Sequence, residues 1–96
     1  FNIFPKDIET VVGQHPDVSE VTVIGIPHKK WGETPLALII AAPGASPNLD
    51  AIGEWSNSRL AKTQRIHAIE LRDAFPRNAL GKVIKRELRE PYWGAS

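Results

Sequence analysis

Residues 18–42 read VSEVTVIGIPHKKWGETPLALIIAA, and the fold turns on this stretch. Val18, Val21, Val23, Ile24 and Ile26 are mostly β-branched and largely alternate with polar or small neighbours, which predicts a strand ended by Pro27. His28 to Glu33 is a polar turn carrying Trp31 and Gly32. Thr34 to Ala42 is apolar almost throughout, as expected of a central strand covered on both faces. The short connection makes the pair an expected antiparallel hairpin.

Working outward, Pro5 to Gln14 predicts a helix. Pro5 suits a first helical position, and Asp7 and Glu9 lie near the positive end of the dipole. Ile8, Val11 and Val12 share one face, and Gly13 and Pro16 mark the end. Beyond the hairpin, Pro43 to Pro47 is a loop, and Ser46-Pro47 is a helix start. Leu49, Ile52, Trp55 and Leu60 then predict a helix to about Ala61. Ile66 to Leu71 reads as a third strand and Asp73 to Gly81 as a loop. Val83 to Arg89 reads as a final helix that Pro91 ends. The expected class is α+β: a small domain with a short, mainly antiparallel sheet of about three strands, packed by about three helices.

Ninety-six residues make one domain with one modest core. That is too little for a two-domain enzyme with its own deep cleft. The chain has no cysteine, so a disulfide scaffold and a cysteine-ligated zinc site are excluded. This fits a reducing cytoplasm, the expected location. No apolar run approaches the roughly 18 residues of a membrane-spanning helix. The opening Phe1-Asn2-Ile3-Phe4-Pro5 has no methionine and no basic stretch. It is expected of a segment of a longer protein, and it shows no signal peptide.

A net charge of +1 gives no reason to expect nucleic acid as a partner, but the charge is unevenly spread. Between Arg77 and Arg89, five basic residues face one acid, Glu87. A positive surface there would attract an anion. The same stretch holds the loop Phe75-Pro76-Arg77-Asn78-Ala79-Leu80-Gly81-Lys82. Pro76, Asn78 and Gly81 favour a defined turn. Lys82 then reads in two ways: a surface lysine at a helix start, which local chemistry favours, or a point charge for phosphate or carboxylate.

Other chemistries find little support. Gly81-Lys82 lacks the upstream glycine and the following Ser/Thr of a P-loop. His15, His28 and His67 lack metal-ligand spacing, so no metal site is expected. Ser46, Ser56 and Ser58 sit in no nucleophile-elbow context. Asp17, Glu20 and Glu33 form no carboxylate pair and read as solvated. Lys82, Lys85, Arg86 and Arg89 could line a helix face, but no interleaved aromatics support RNA binding.

Pro76-Arg77-Asn78-Ala79-Leu80-Gly81-Lys82 resembles the closing motif of the adenylate-forming superfamily, which includes acyl-CoA synthetases, luciferases and adenylation domains. Asn2-Ile3-Phe4-Pro5-Lys6-Asp7-Ile8-Glu9 resembles that family's N-I-x-P-x-E-I-E segment, just after the hinge. His15-Pro16-Asp17-Val18, Val23-Ile24-Gly25-Ile26-Pro27 and Trp31-Gly32-Glu33 match in order and spacing. The resemblance spans about Asn2 to Trp93.

It implies that residues 1–96 are the mobile C-terminal lid of an acyl- or aryl-CoA ligase whose N-terminal domain lies outside this chain. A carboxylic acid and Mg-bound ATP would give an acyl-adenylate, and CoA, the co-substrate, would then displace AMP. The large domain would hold most of the ATP and the acyl group. The resemblance implies that Lys82 is the catalytic residue of the first step, on a loop supported by Pro76, Asn78 and Gly81. Trp31, Arg65 and His67 are the implied CoA-binding residues. Leu60-Ala61-Lys62-Thr63-Gln64-Arg65-Ile66 departs from the usual L-A-x-Y/F-K-x-P: the aromatic, the lysine and the proline are missing, and Arg65 or His67 is left to compensate. The alternatives are a lid serving a carrier protein and a binding module without catalysis. The isolated chain is expected to be inactive.

Overall fold

A computed structural model describes residues 5–94. Its centre is β2 (Gly32–Ala41), which lies between β1 (Val18–His28) and β3 (Ala68–Leu71). Side chains alternate across a strand, and on β2 both sets are apolar. Ala37 and Ile39 point into one core, with Ile8 and Val12 of α1 (Pro5–Val12) and Ile52 of α2 (Leu49–Asn57). Leu36 and Leu38 point into a second core, with Ile24 and Phe75. Val83, Leu88 and Tyr92 close that core from the far side, the last two on α3 (Lys85–Trp93). The sheet is thus sandwiched between α1 and α2 on one face and the 75–83 loop with α3 on the other. This is the expected α+β class, with three helices and three strands in the described residues.

β1 and β2 form the expected antiparallel hairpin, from Glu20 opposite Ile40 to His28 opposite Gly32. β3 instead joins β2 in parallel, from Leu36 opposite Ala68 to Ile39 opposite Leu71. The sheet is therefore mixed. The cause is connectivity: β2 leads to β3 through α2, and a crossover helix returns the chain in the same direction.

Several boundaries differ from expectation, each for a local reason. β1 runs through Pro27 to His28, because an edge strand tolerates a residue without an N–H. α2 starts after Asn48, whose Oδ1 accepts from the Ala51 N–H at 3.0 Å and caps the helix. It stops at Asn57, four residues before the expected end at Ala61. The Asn57 amide turns instead to Ile66, accepting from its N–H at 2.9 Å and donating to its carbonyl at 3.0 Å. With those groups taken, β3 begins only at Ala68. Between them lies a single 3-10 turn, Lys62–Gln64.

α3 runs through Pro91 to Trp93 rather than ending before it. Proline removes one helical hydrogen bond. Two tertiary anchors hold the last turn: Tyr92 donates to Glu70 Oε1 at 2.6 Å, and Trp93 Nε1 donates to the Gly25 carbonyl at 2.7 Å. No helix of the described residues is long and apolar enough to cross a membrane.

Candidate functional site

The segment from Phe75 to Ile84 is a small hairpin standing on the second core. Phe75 is buried there and Val83 packs beside it. Arg77 and Val83 form an isolated bridge, and the Ile84 N–H donates to the Pro76 carbonyl at 2.8 Å. Above that base the Asn78 N–H donates to the Lys82 carbonyl at 2.9 Å, and the Gly81 N–H to the Asn78 carbonyl at 3.0 Å. Asn78 Oδ1 accepts from the N–H groups of Leu80 at 2.9 Å and Lys82 at 3.0 Å. Gly81 sits at φ +85° with open space where a Cβ would lie. A glycine is therefore needed for backbone conformation and not for room. The expected supports, Pro76, Asn78 and Gly81, each make part of this frame. It presents Lys82 exposed to solvent, with its ammonium in none of the ion pairs of the described residues.

The surrounding positive charge is narrower than the sequence suggests. Arg77 pairs with Glu20 of β1 and donates from Nη1 to the Gly81 carbonyl at 3.0 Å. Lys85 pairs with Glu9 of α1 at 2.9 Å, and Arg89 lies 5.8 Å from the centre of the Trp93 ring. Glu9 Oε2 also accepts from the Val23 N–H at 2.8 Å, so one carboxylate ties α1, β1 and α3 together. Of the five basic residues in the run, Lys82 and Arg86 are left facing solvent without such partners among the described residues. Leu80 at the loop tip is 88% exposed.

The three side chains assigned to CoA also come together, at the other end of the hairpin. Trp31 is 47% exposed, and one face stacks on His28 at 4.3 Å and 11°. Its ring centre lies 4.9 Å from that of His67, tilted by 53°. The turn holds this shape because His28 Nδ1 accepts from the N–H groups of Lys30 at 3.1 Å and Trp31 at 3.3 Å. Beside the rings lies a cavity of about 270 Å³ whose wall includes Trp31, Thr34, Lys62, Thr63, Arg65 and His67. A planar ring could lie against Trp31 and His67, while Lys62 and Arg65 could take a phosphate. Lys62 carries no signal of its own in the sequence; the fold sets it beside Arg65 in the cavity wall.

Two negative results frame these sites. A larger cavity, about 470 Å³ between α2 and β3, is lined by Asp50, Glu54 and Glu70 and is a poor seat for an anion. Among the described residues no three His, Asp or Glu side chains are grouped to hold a metal ion.

Comparison with known proteins supplies the context. The family model described as AMP-binding enzyme C-terminal domain matches residues 7–82. The chain is 39% identical over 95 residues to fatty acid–[acyl-carrier-protein] ligase ScoC of Streptomyces coeruleorubidus, covering 99% of this chain and 18% of that protein. It is 39% identical over 88 residues to 2-succinylbenzoate–CoA ligase of Geobacillus kaustophilus, covering 92% and 18%. Among solved structures, ATP-bound MatB from Rhodopseudomonas palustris superimposes with a TM-score of 0.89 at 36% identity, over 96% of this chain and 18% of that one. The chain thus spans less than a fifth of the length of these relatives.

Proposed function

The chain belongs to the AMP-binding enzyme C-terminal domain family, and from that premise we propose that residues 1–96 are the mobile C-terminal domain of a cytoplasmic, AMP-forming acid–CoA ligase. The observation that carries the reading is the locked 76–84 loop, which offers one ammonium, that of Lys82, to a site outside the domain. The acyl pocket and most of the grip on Mg-bound ATP would belong to a large N-terminal domain.

In the first half-reaction a carboxylate oxygen attacks the α-phosphorus of ATP. The bond to the β-phosphate oxygen breaks and pyrophosphate leaves. Two anions must approach each other, and Lys82 bridging carboxylate and phosphate oxygens lowers that repulsion where charge develops. Lysine suits the task because no proton need move. In the second half-reaction the CoA sulfur attacks the acyl carbon, the thiol proton is lost and AMP departs. The Trp31–His67 cavity would then hold the nucleotide end of CoA, with Arg65 and Lys62 on its phosphates. The two surfaces lie at opposite ends of β1, and Glu20 to His28 spans roughly 26 Å of strand. One domain pose cannot readily serve both, which supports alternation between two poses.

The test uses the full-length enzyme. Lys82→Ala is expected to slow adenylation on the order of 10²–10³-fold, read by ATP–pyrophosphate exchange. Thioester formation from preformed acyl-adenylate should fall much less. Equal loss in both steps would remove Lys82 from this role. The 96 residues alone should catalyse no exchange. A second reading, a lid serving acyl transfer to the thiol of a carrier protein in place of CoA, is favoured by the likeness to ScoC. A lower KM for a holo-carrier protein than for CoA would select it. A non-catalytic binding module would leave Lys82→Ala with full activity.

A further inference from the structure

Glu20 read as a solvated carboxylate in the sequence, yet the fold sets it against the Lys82 loop. The register of β1 on β2 shifts between Val18, opposite Ala41, and Glu20, opposite Ile40, so Ser19 is an extra residue. Such a bulge reverses the alternation of faces. Val18 and Val21 accordingly pack into the same core although they are three positions apart. Downstream of the bulge Glu20 shares the opposite face with Ile24, whose neighbours are Phe75 and Val83 at the base of the loop. There it pairs with Arg77 Nη2. The other end of the same guanidinium donates to the Gly81 carbonyl at 3.0 Å, one residue before Lys82. The remaining loop bonds, four through Asn78 and one from the Ile84 N–H to the Pro76 carbonyl, are internal to the loop. The guanidinium is its polar tie to the sheet among the described residues.

We infer that Glu20 is a positioning residue for adenylation: through Arg77 it fixes the Gly81–Lys82 segment against β1, so that the ammonium is delivered in one place. The bulge at Ser19 is the backbone device that turns Glu20 to this task. The inference rests on the reading of Lys82 as the adenylation residue. The pair is partly exposed, so its effect is modest, about 3–5-fold.

Glu20→Gln in the full-length enzyme should slow ATP–pyrophosphate exchange about 3–5-fold and leave thioester formation from preformed adenylate and the melting temperature unchanged. Arg77→Gln should give an equal or larger loss, and adding Glu20→Gln to it should cost nothing more, because the two act through one contact. Adding Glu20→Gln to Lys82→Ala should likewise change nothing. Full exchange activity in Glu20→Gln, alongside a large loss in Lys82→Ala, overturns the positioning role and leaves the reading of Lys82 standing. Full activity in Lys82→Ala removes the premise, and the inference falls with it. Equal loss in both half-reactions with a lowered melting temperature marks a merely structural contact and also overturns it.

Discussion

The two ends of the β1–β2 hairpin present opposite kinds of surface. At one end, residues 76–84 close on themselves through six hydrogen bonds and expose a single lysine. At the other, Trp31 of the turn with Thr34 and Pro35 of β2 contributes one wall of a cavity, and the separate segment Lys62 to His67 contributes the rest. The first surface is framed by neighbours in sequence, with Glu20 of β1 joining it through Arg77. The second exists only because the fold brings two distant segments together. A preformed point charge suits a step that needs a cation at one place. A cleft of rings and cations suits a flexible ligand that must be gripped along its length.

The comparison is broken most severely from the centre. Ile39 is fully buried in the strand that both ends share. Ile39→Ala should cost about 2–5 kcal/mol and lower the melting temperature of this chain by roughly 4–8 °C for each kcal/mol. Both half-reactions of the full-length enzyme should then suffer together near that temperature. Loss confined to one end would mean that the two surfaces do not depend on a common core.

Gly81→Ala strikes one end. At φ +85° an alanine carries about 1–2 kcal/mol of strain, and the segment holding Lys82 would shift to relieve it. Adenylation should fall about 5–30-fold, by the usual tenfold per 1.4 kcal/mol, while the KM for CoA stays the same. Trp31→Ala strikes the other end. Loss of an aromatic face is worth about 0.5–1.5 kcal/mol, so the KM for CoA should rise about 2–10-fold with adenylation untouched. Pantetheine, which lacks the nucleotide, should not feel the change. If it does, the ring does not face the nucleotide.

The same contrast explains what the sequence disclosed. Alternation over Val18 to Ile26 located the first strand of the hairpin, and the nearly apolar stretch Thr34 to Ala42 placed the second at the centre, because these are local consequences of burial. The frame of the Lys82 loop was legible for the same reason: Asn78 and Gly81 act on residues within four positions of themselves. The parallel entry of β3 was not legible, since it depends on how α2 crosses the sheet. Nor was the early end of α2, where Asn57 forgoes further helix to bind Ile66 nine residues away. Glu20 and Lys62 were missed because an exposed acid and an exposed lysine carry no pattern until the fold gives each a neighbour. The Asn2-Ile3-Phe4 part of the N-terminal motif lies outside the described residues.

The smallest expected effect tests what holds α3, the helix that continues from the Lys82 loop, against the sheet. Glu70 on β3 accepts from the Tyr92 hydroxyl at 2.6 Å and from Arg72 Nη2 at 2.9 Å. The Tyr92 hydrogen bond, aided by Arg72, holds the Glu70 carboxyl below its ordinary value of 4.5. Burial, and then the bond to Glu70, push Tyr92 up, so its hydroxyl remains a donor near neutrality. Because the folded value of Glu70 is the lower one, its contribution to stability is complete above the unfolded value. It drains away as pH falls through the folded value. Both partners are partly exposed, which limits the contribution to about 1 kcal/mol or less. The wild-type chain should therefore melt a few degrees above Glu70→Gln at pH 7, and the gap should narrow as pH falls below 4.5 and close once it passes the lower, folded value. A gap that stays constant across that range would mean that Glu70 acts through shape alone, and that its charge does not help to hold α3 behind the loop.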